Sequence, residues 1–144
     1  KILRYEEQKS KRKVKARHNG HSELNDNLNV GTANVAHHIF MRSEYMELCD
    51  QKENLILLTA GQHLQCAHPA GNTHIVDFAY QRLCLLAKLE SVLFSERNAD
   101  DFYSLEAFIN VLNTGLRDRP GYHFLPIDAD PEMIRLAINA AYSQ

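Results

Sequence analysis

Val35-Ala36-His37-His38-Ile39-Phe40, then Glu53-Asn54-Leu55-Ile56-Leu57-Leu58, then His63, form the stretch on which the reading of this chain turns. An asparagine stands sixteen residues after the second of two adjacent histidines, and a third histidine comes nine further on. The alternation of Val35, His37 and Ile39 predicts a short strand over 34–40, and the apolar run 55–58 predicts a second, more buried one. Thr59 and Gln62 have the spacing of a capping box, in which each side chain satisfies an orphan amide of the other residue. His63 is therefore expected in the first turn of a helix. Neighbouring strand residues point to opposite sides. One of His37 and His38 can thus face a metal ion while the other faces a reacting group, with His63 reaching the same ion. An imidazole that takes a proton from water and a cation that neutralises developing charge are together what phosphodiester hydrolysis requires.

These residues resemble the HNH, or ββα-metal, nuclease superfamily over about residues 33–68, a quarter of the chain. The resemblance implies that His37 is a metal ligand and His38 the general base. It also implies that Asn54 completes the catalytic set by bracing the loop between the strands, and that His63 is a second ligand. Colicin-type members carry a further metal-binding histidine just past the helix one, which makes His68 a candidate third ligand. Arg42, two residues beyond the first strand, is a candidate phosphate contact. The chain departs from the family in lacking CxxC knuckles and in having Phe40-Met41-Arg42 where a proline often comes after the leading pair. The resemblance implies an α+β fold, a small ββα-metal unit embedded in a mainly helical domain. Its activity would be that of a metal-dependent endonuclease on DNA from a restriction, phage or mobile-element system. The alternative is a catalytically weak or inactive nucleic-acid-binding domain that keeps the fold. The cofactor would be a divalent cation (Mg, Mn, Ni or Zn). Imidazole donors suit the later metals better than Mg, although relatives often use Mg.

Taken singly, each of these residues has a plainer reading. A strand histidine is commonly bonded to a carbonyl, an asparagine commonly sits in a turn, and a helix histidine commonly lies at the surface. Their joint spacing is what favours the functional one.

The 144 residues are 44% apolar and 24% charged, which fits one soluble globular domain and excludes a disordered chain. No apolar run reaches the length of a membrane span, no signal-peptide pattern opens the sequence, and three cysteines without a CxxC pair predict no disulfide framework. A cytoplasmic protein is expected, either a homodimer or part of a larger multidomain protein. Net charge is −2 but unevenly spread. Residues 1–17 hold eight of the sixteen Lys and Arg against two acids, Glu6 and Glu7. This predicts a basic helical arm and then a loop, residues 1–30, ahead of a nuclease domain over 31–144. Lys11, Arg12, Lys13, Lys15 and Arg17 are the candidate DNA contacts, a non-specific and salt-sensitive role.

Beyond the motif the pattern is helical. Ile75, Phe78, Ala79, Leu83, Leu86, Leu89 and Leu93 predict an inward stripe on a helix over 74–94. A second helix is expected over 104–113 with Gly115 past its end. A last one begins at Asp130-Pro131, an N-cap and first-turn pair, and runs through Ile134, Leu136 and Ile138.

Overall fold

The structure, a computed structural model, describes residues 2–64 and 76–143. Five helices and one two-stranded antiparallel sheet make it a mixed helix-and-sheet fold among those residues. The first helix, α1 (Ile2–His18), stops where Asn19 and Gly20 adopt positive φ, and Lys15, Arg17 and His18 complement the negative end of its dipole. The strands are β1 (Ala33–His38) and β2 (Leu55–Thr59). They pair with Val35 opposite Leu58, His37 opposite Ile56 and His38 opposite Leu55, and an irregularity between Ala33 and Val35 sets this register.

β2 is buried along its whole length because the sheet lies between two layers. Ile56 and Leu58 join the main core, whereas Leu55 and Leu57 pack with Ala33 and with Val14 of α1. Opposed residues share a face, so His37 lies on the Ile56 side and His38 on the Leu55 side, under α1. Residues 2–17 therefore pack on the sheet and do not form a free arm. α1 buries Glu7 and Val14 and contacts both strands, so the boundary drawn at residue 30 does not divide the packing.

The capping box forms as the spacing implies: Gln62 N donates to Thr59 Oγ1 at 3.1 Å and the Gln62 side chain accepts from Thr59 N at 2.9 Å. The helix it opens, α2 (Ala60–Gln62), places His63 at its C-cap. Three longer helices complete the chain, α3 (Phe78–Arg97), α4 (Leu105–Gly115) and α5 (Pro131–Ala141). Asp77, Ser104 and Asp130 cap them, each accepting a bond from a first-turn amide.

Three expectations change. α3 turns a partly different face inward: Leu89 and Leu93 are buried as expected, but Tyr80, Gln81, Cys84, Leu85, Lys88 and Val92 are buried with them while Phe78, Ala79 and Leu83 are exposed, and Ile75 lies outside the described residues. The cause is that Gln81, Lys88 and Ser95 find buried polar partners, so an apolar stripe does not set the rotation of this helix. Gly115 lies inside α4 and not past it. A Cβ there would overlap the Phe40 ring, so the glycine admits that ring between the sheet and the helix. Leu136 of α5 is exposed, and Ile134, Ile138 and Ala141 are the residues that helix buries.

Behind the sheet lies a buried ionic cluster. Lys88 Nζ is 2.7 Å from Glu23 Oε1 and 2.8 Å from Tyr103 Oη, with both charged side chains fully shielded. Glu23 also accepts from Leu57 N at 2.7 Å and from Ser91 Oγ at 2.8 Å. His18 Nε2 reaches Tyr103 Oη at 2.7 Å. One carboxylate thus ties together the end of α1, the edge of β2 and the middle of α3. Burial pushes the Lys88 ammonium below its ordinary range while Glu23 opposes that shift.

Candidate metal and base site

His37 and His63 are brought together. Their ring centroids are 5.2 Å apart with the planes inclined at 65°, and His37 is 8% exposed. The hairpin presents the first ring and the capped turn after β2 presents the second, so five residues of strand and three of helix fix their separation. Two imidazoles at that spacing can converge on one cation and leave its other positions to water or phosphate oxygens. Among the described residues no group of three His, Cys, Asp or Glu side chains forms a fuller cage. His68, the candidate third ligand, lies outside the described residues, as do Cys66 and His74.

Asn54 is fully buried and ties the loop that joins the strands. Its Oδ1 accepts from Phe40 N at 2.9 Å, and its Nδ2 donates to Phe40 O at 3.2 Å and to Leu48 O at 3.3 Å. The backbone of the same residue accepts from Ile39 N at 2.8 Å. Asn54 therefore ends β1 at His38, two residues earlier than the apolar alternation implies, and turns Ile39 and Phe40 into the core.

His38 points away from the His37 ring, as strand alternation requires. Its Nε2 lies 3.0 Å from Cys49 O and 3.0 Å from Glu7 Oε2, and its side chain is 13% exposed. An imidazole beside a carbonyl and a carboxylate carries its hydrogen on that nitrogen, so the neutral ring is the Nε2–H tautomer and Nδ1 is the nitrogen able to accept a proton. Burial holds the His38 pKa below its ordinary value. The Cys49 carbonyl opposes that shift, Lys11 adds to it, Glu7 opposes it and Arg42 adds to it. The ring is accordingly neutral near pH 7, the state a general base needs.

Glu7 is the residue that sequence reasoning missed. It is buried at the α1–sheet junction, and Arg42 Nε donates to both its oxygens, at 3.0 and 2.9 Å. The basic helix hid it, since Glu6 and Glu7 there read only as a local offset of charge. Arg42, the candidate phosphate contact, is thus ion-paired with Glu7 through Nε while its side chain is 38% exposed. Arg17 is likewise engaged, 2.6 Å from Asp100 Oδ2 and stacked on Phe102 with Cζ 4.9 Å from the ring centre. The other candidates keep their charge uncompensated. Lys11, Arg12, Lys13 and Lys15, with Lys9, form no ion pair among the described residues, and all but Lys11 are exposed.

No family model, curated protein or solved structure matches the chain. Its contacts are therefore what bear on its function. No helix among the described residues is long and apolar enough to cross a membrane. Cys49 and Cys84 are buried thiols, and burial raises the Cys49 pKa, which makes it unreactive.

Proposed function

We propose that this chain is a metal-dependent endonuclease of the HNH type acting on DNA. The observation that carries the reading is the edge-on approach of His37 and His63, from a strand and a capped turn, beside a loop braced by Asn54. A divalent cation held by those two imidazoles would neutralise charge on the scissile phosphate and on its leaving oxygen. The protein's own contributions are separable. His38 would take a proton from water at Nδ1, with Nε2–H held by Cys49 O and Glu7. Asn54 fixes the loop that supplies the Cys49 carbonyl. The unpaired cations of α1 would hold the backbone of the duplex.

One observation favours the second reading, a nucleic-acid-binding domain without cleavage. α1 covers the face of the sheet that carries His38, and the buried Glu7 carboxylate, paired with a half-exposed Arg42, lies 3.0 Å from the ring. The test is incubation of supercoiled plasmid with Mg²⁺ or Mn²⁺ and a chelator control. Under the first reading nicked or linear product appears and His38→Ala reduces it about 10²–10⁴-fold. His37→Ala and His63→Ala should raise the metal concentration needed. Plasmid left intact at every metal concentration, with DNA binding retained, would establish the second reading.

A further inference from the structure

Away from the histidines, a cavity of about 610 Å³ opens between the start of α3, the loop after α4 and the end of α5. Phe78, Arg82, Arg119 and Tyr142 line it. The Arg119 guanidinium is sandwiched, its Cζ 4.6 Å from the Phe78 ring centre and 4.4 Å from that of Tyr142, and its Nε donates to Ala141 O at 3.0 Å. Arg82 Nε donates to Asn139 Oδ1 at 2.8 Å. Both guanidinium groups are thus held through Nε, by neutral acceptors. Neither has an ion-pair partner among the described residues, in contrast to Arg17, Arg42 and Arg135. Asp118, next to Arg119 in sequence, forms no ion pair with either arginine among the described residues, and Asp77, five residues before Arg82, spends its Oδ1 on Tyr80 N as the α3 cap.

Phe78 is 55% exposed although it stands on the rim of a cavity next to a stacked guanidinium. Two oriented cations without a counter-ion match the oxygens of a phosphate, which guanidinium forks bind in bidentate fashion. An open aromatic face matches a flat ring, because every nucleobase offers a π-surface. The volume exceeds what inorganic phosphate fills and lies within the roughly 300–1,000 Å³ of small-molecule sites. We propose that this cavity binds a nucleoside phosphate, its phosphate on Arg82 and Arg119 and its base against Phe78. This does not rest on the cleavage reading, since none of these residues belongs to the histidine site.

The test is isothermal titration of the intact protein, in chelator to exclude metal chemistry, with inorganic phosphate, thymidine 5′-monophosphate and a short oligothymidylate as probes. The expected result is that the nucleotide binds at least about fivefold more tightly than phosphate, since the ring adds stacking. Tighter binding of the oligonucleotide than of the nucleotide would assign the site to a strand, and equal binding would assign it to a free nucleotide. Both outcomes support the site. Arg82→Ala should weaken nucleotide binding about tenfold through loss of a charge-assisted bond. Phe78→Ala should weaken it about fivefold or more and bring it towards that of phosphate. Phe78 is exposed and Arg82 half-buried, so both variants keep the fold; Phe78→Ala and Arg119→Ala each remove part of the stack, and Arg82→Ala leaves it intact. His37→Ala should bind the nucleotide like the parent, which separates this site from the histidine one. A nucleotide that binds no better than phosphate, or affinity unchanged in both Arg82→Ala and Phe78→Ala, overturns the proposal.

Discussion

Replacing Asn54 by leucine tests the bracing of the hairpin loop with little change of volume. The variant strips a buried Phe40 N–H of its acceptor at 2.9 Å and two carbonyls of a shared donor at 3.2 and 3.3 Å. An unsatisfied buried donor costs about 1–3 kcal/mol, and the two longer bonds contribute about 1 kcal/mol together. The expected loss is thus about 2–4 kcal/mol, against a total stability of roughly 5–15 kcal/mol for a domain. At roughly 3 °C per kcal/mol for a chain of this size, the melting temperature should fall by roughly 6–12 °C. Circular dichroism during thermal and urea unfolding measures both quantities. Asn54→Asp provides an internal check. It keeps an acceptor for Phe40 N but sets a carboxylate oxygen against Phe40 O and Leu48 O, so it should cost more at pH 7 than the leucine and recover as acid protonates it. A leucine variant within about 1 kcal/mol of the parent would refute the reasoning, because no arrangement of three real buried bonds is lost so cheaply.

Lys88→Met leaves the Glu23 carboxylate buried without its cation and should cost about 3–5 kcal/mol in urea unfolding. Adding Glu23→Gln removes the stranded charge, and a double variant no more stable than Lys88→Met alone would show that the pair is not coupled. Asp100 is held at about 2, below its ordinary 3.8, by Ser95 Oγ first, then Phe102 N–H and Arg17. Its contribution is present above pH 3.8 and lost as pH falls towards 2, so Asp100→Asn should flatten the acid limb of the stability profile in that window and leave its shape above pH 5 unchanged. Changing Lys11, Arg12, Lys13 and Lys15 together to Gln should reduce the slope of log affinity for duplex DNA against log salt by about 0.9 per phosphate contact removed. An unaltered slope would move the footprint off α1.

What was legible in the sequence was local. The capping box at Thr59–Gln62, the cap Asp130 and the apolar run of β2 each depend on residues within a turn of one another, and a single window contains the whole cause. The His37–His63 approach was legible for the same reason, because one hairpin and one turn separate the rings. The rest is set by partners far along the chain. Lys88 reads as a solvated residue until Glu23 is placed beside it, and its burial then fixes which face of α3 turns inward. Gly115 reads as a helix stop until the Phe40 ring arrives from the sheet. Glu7 reads as a minor offset to a basic segment until strand register brings His38 beneath α1.

The clasp of α1 has a kinetic consequence. Only Val14 and Glu7 of its seventeen residues are buried, so α1 buries little side chain against the rest of the fold. Its anchors at Asp100 and Tyr103 lie 83 and 85 residues away in sequence, so most of the described chain must be in place before they can form. Closing such long loops costs entropy that is recovered only on docking. α1 is therefore expected to seat late and to lift in an opening smaller than global unfolding. Hydrogen exchange should register this as faster exchange of the α1 amides than of the α3 amides. The same excursion carries Glu7 away from Arg42 and His38, so the event that frees the beginning of the chain is also the one that uncovers the imidazole.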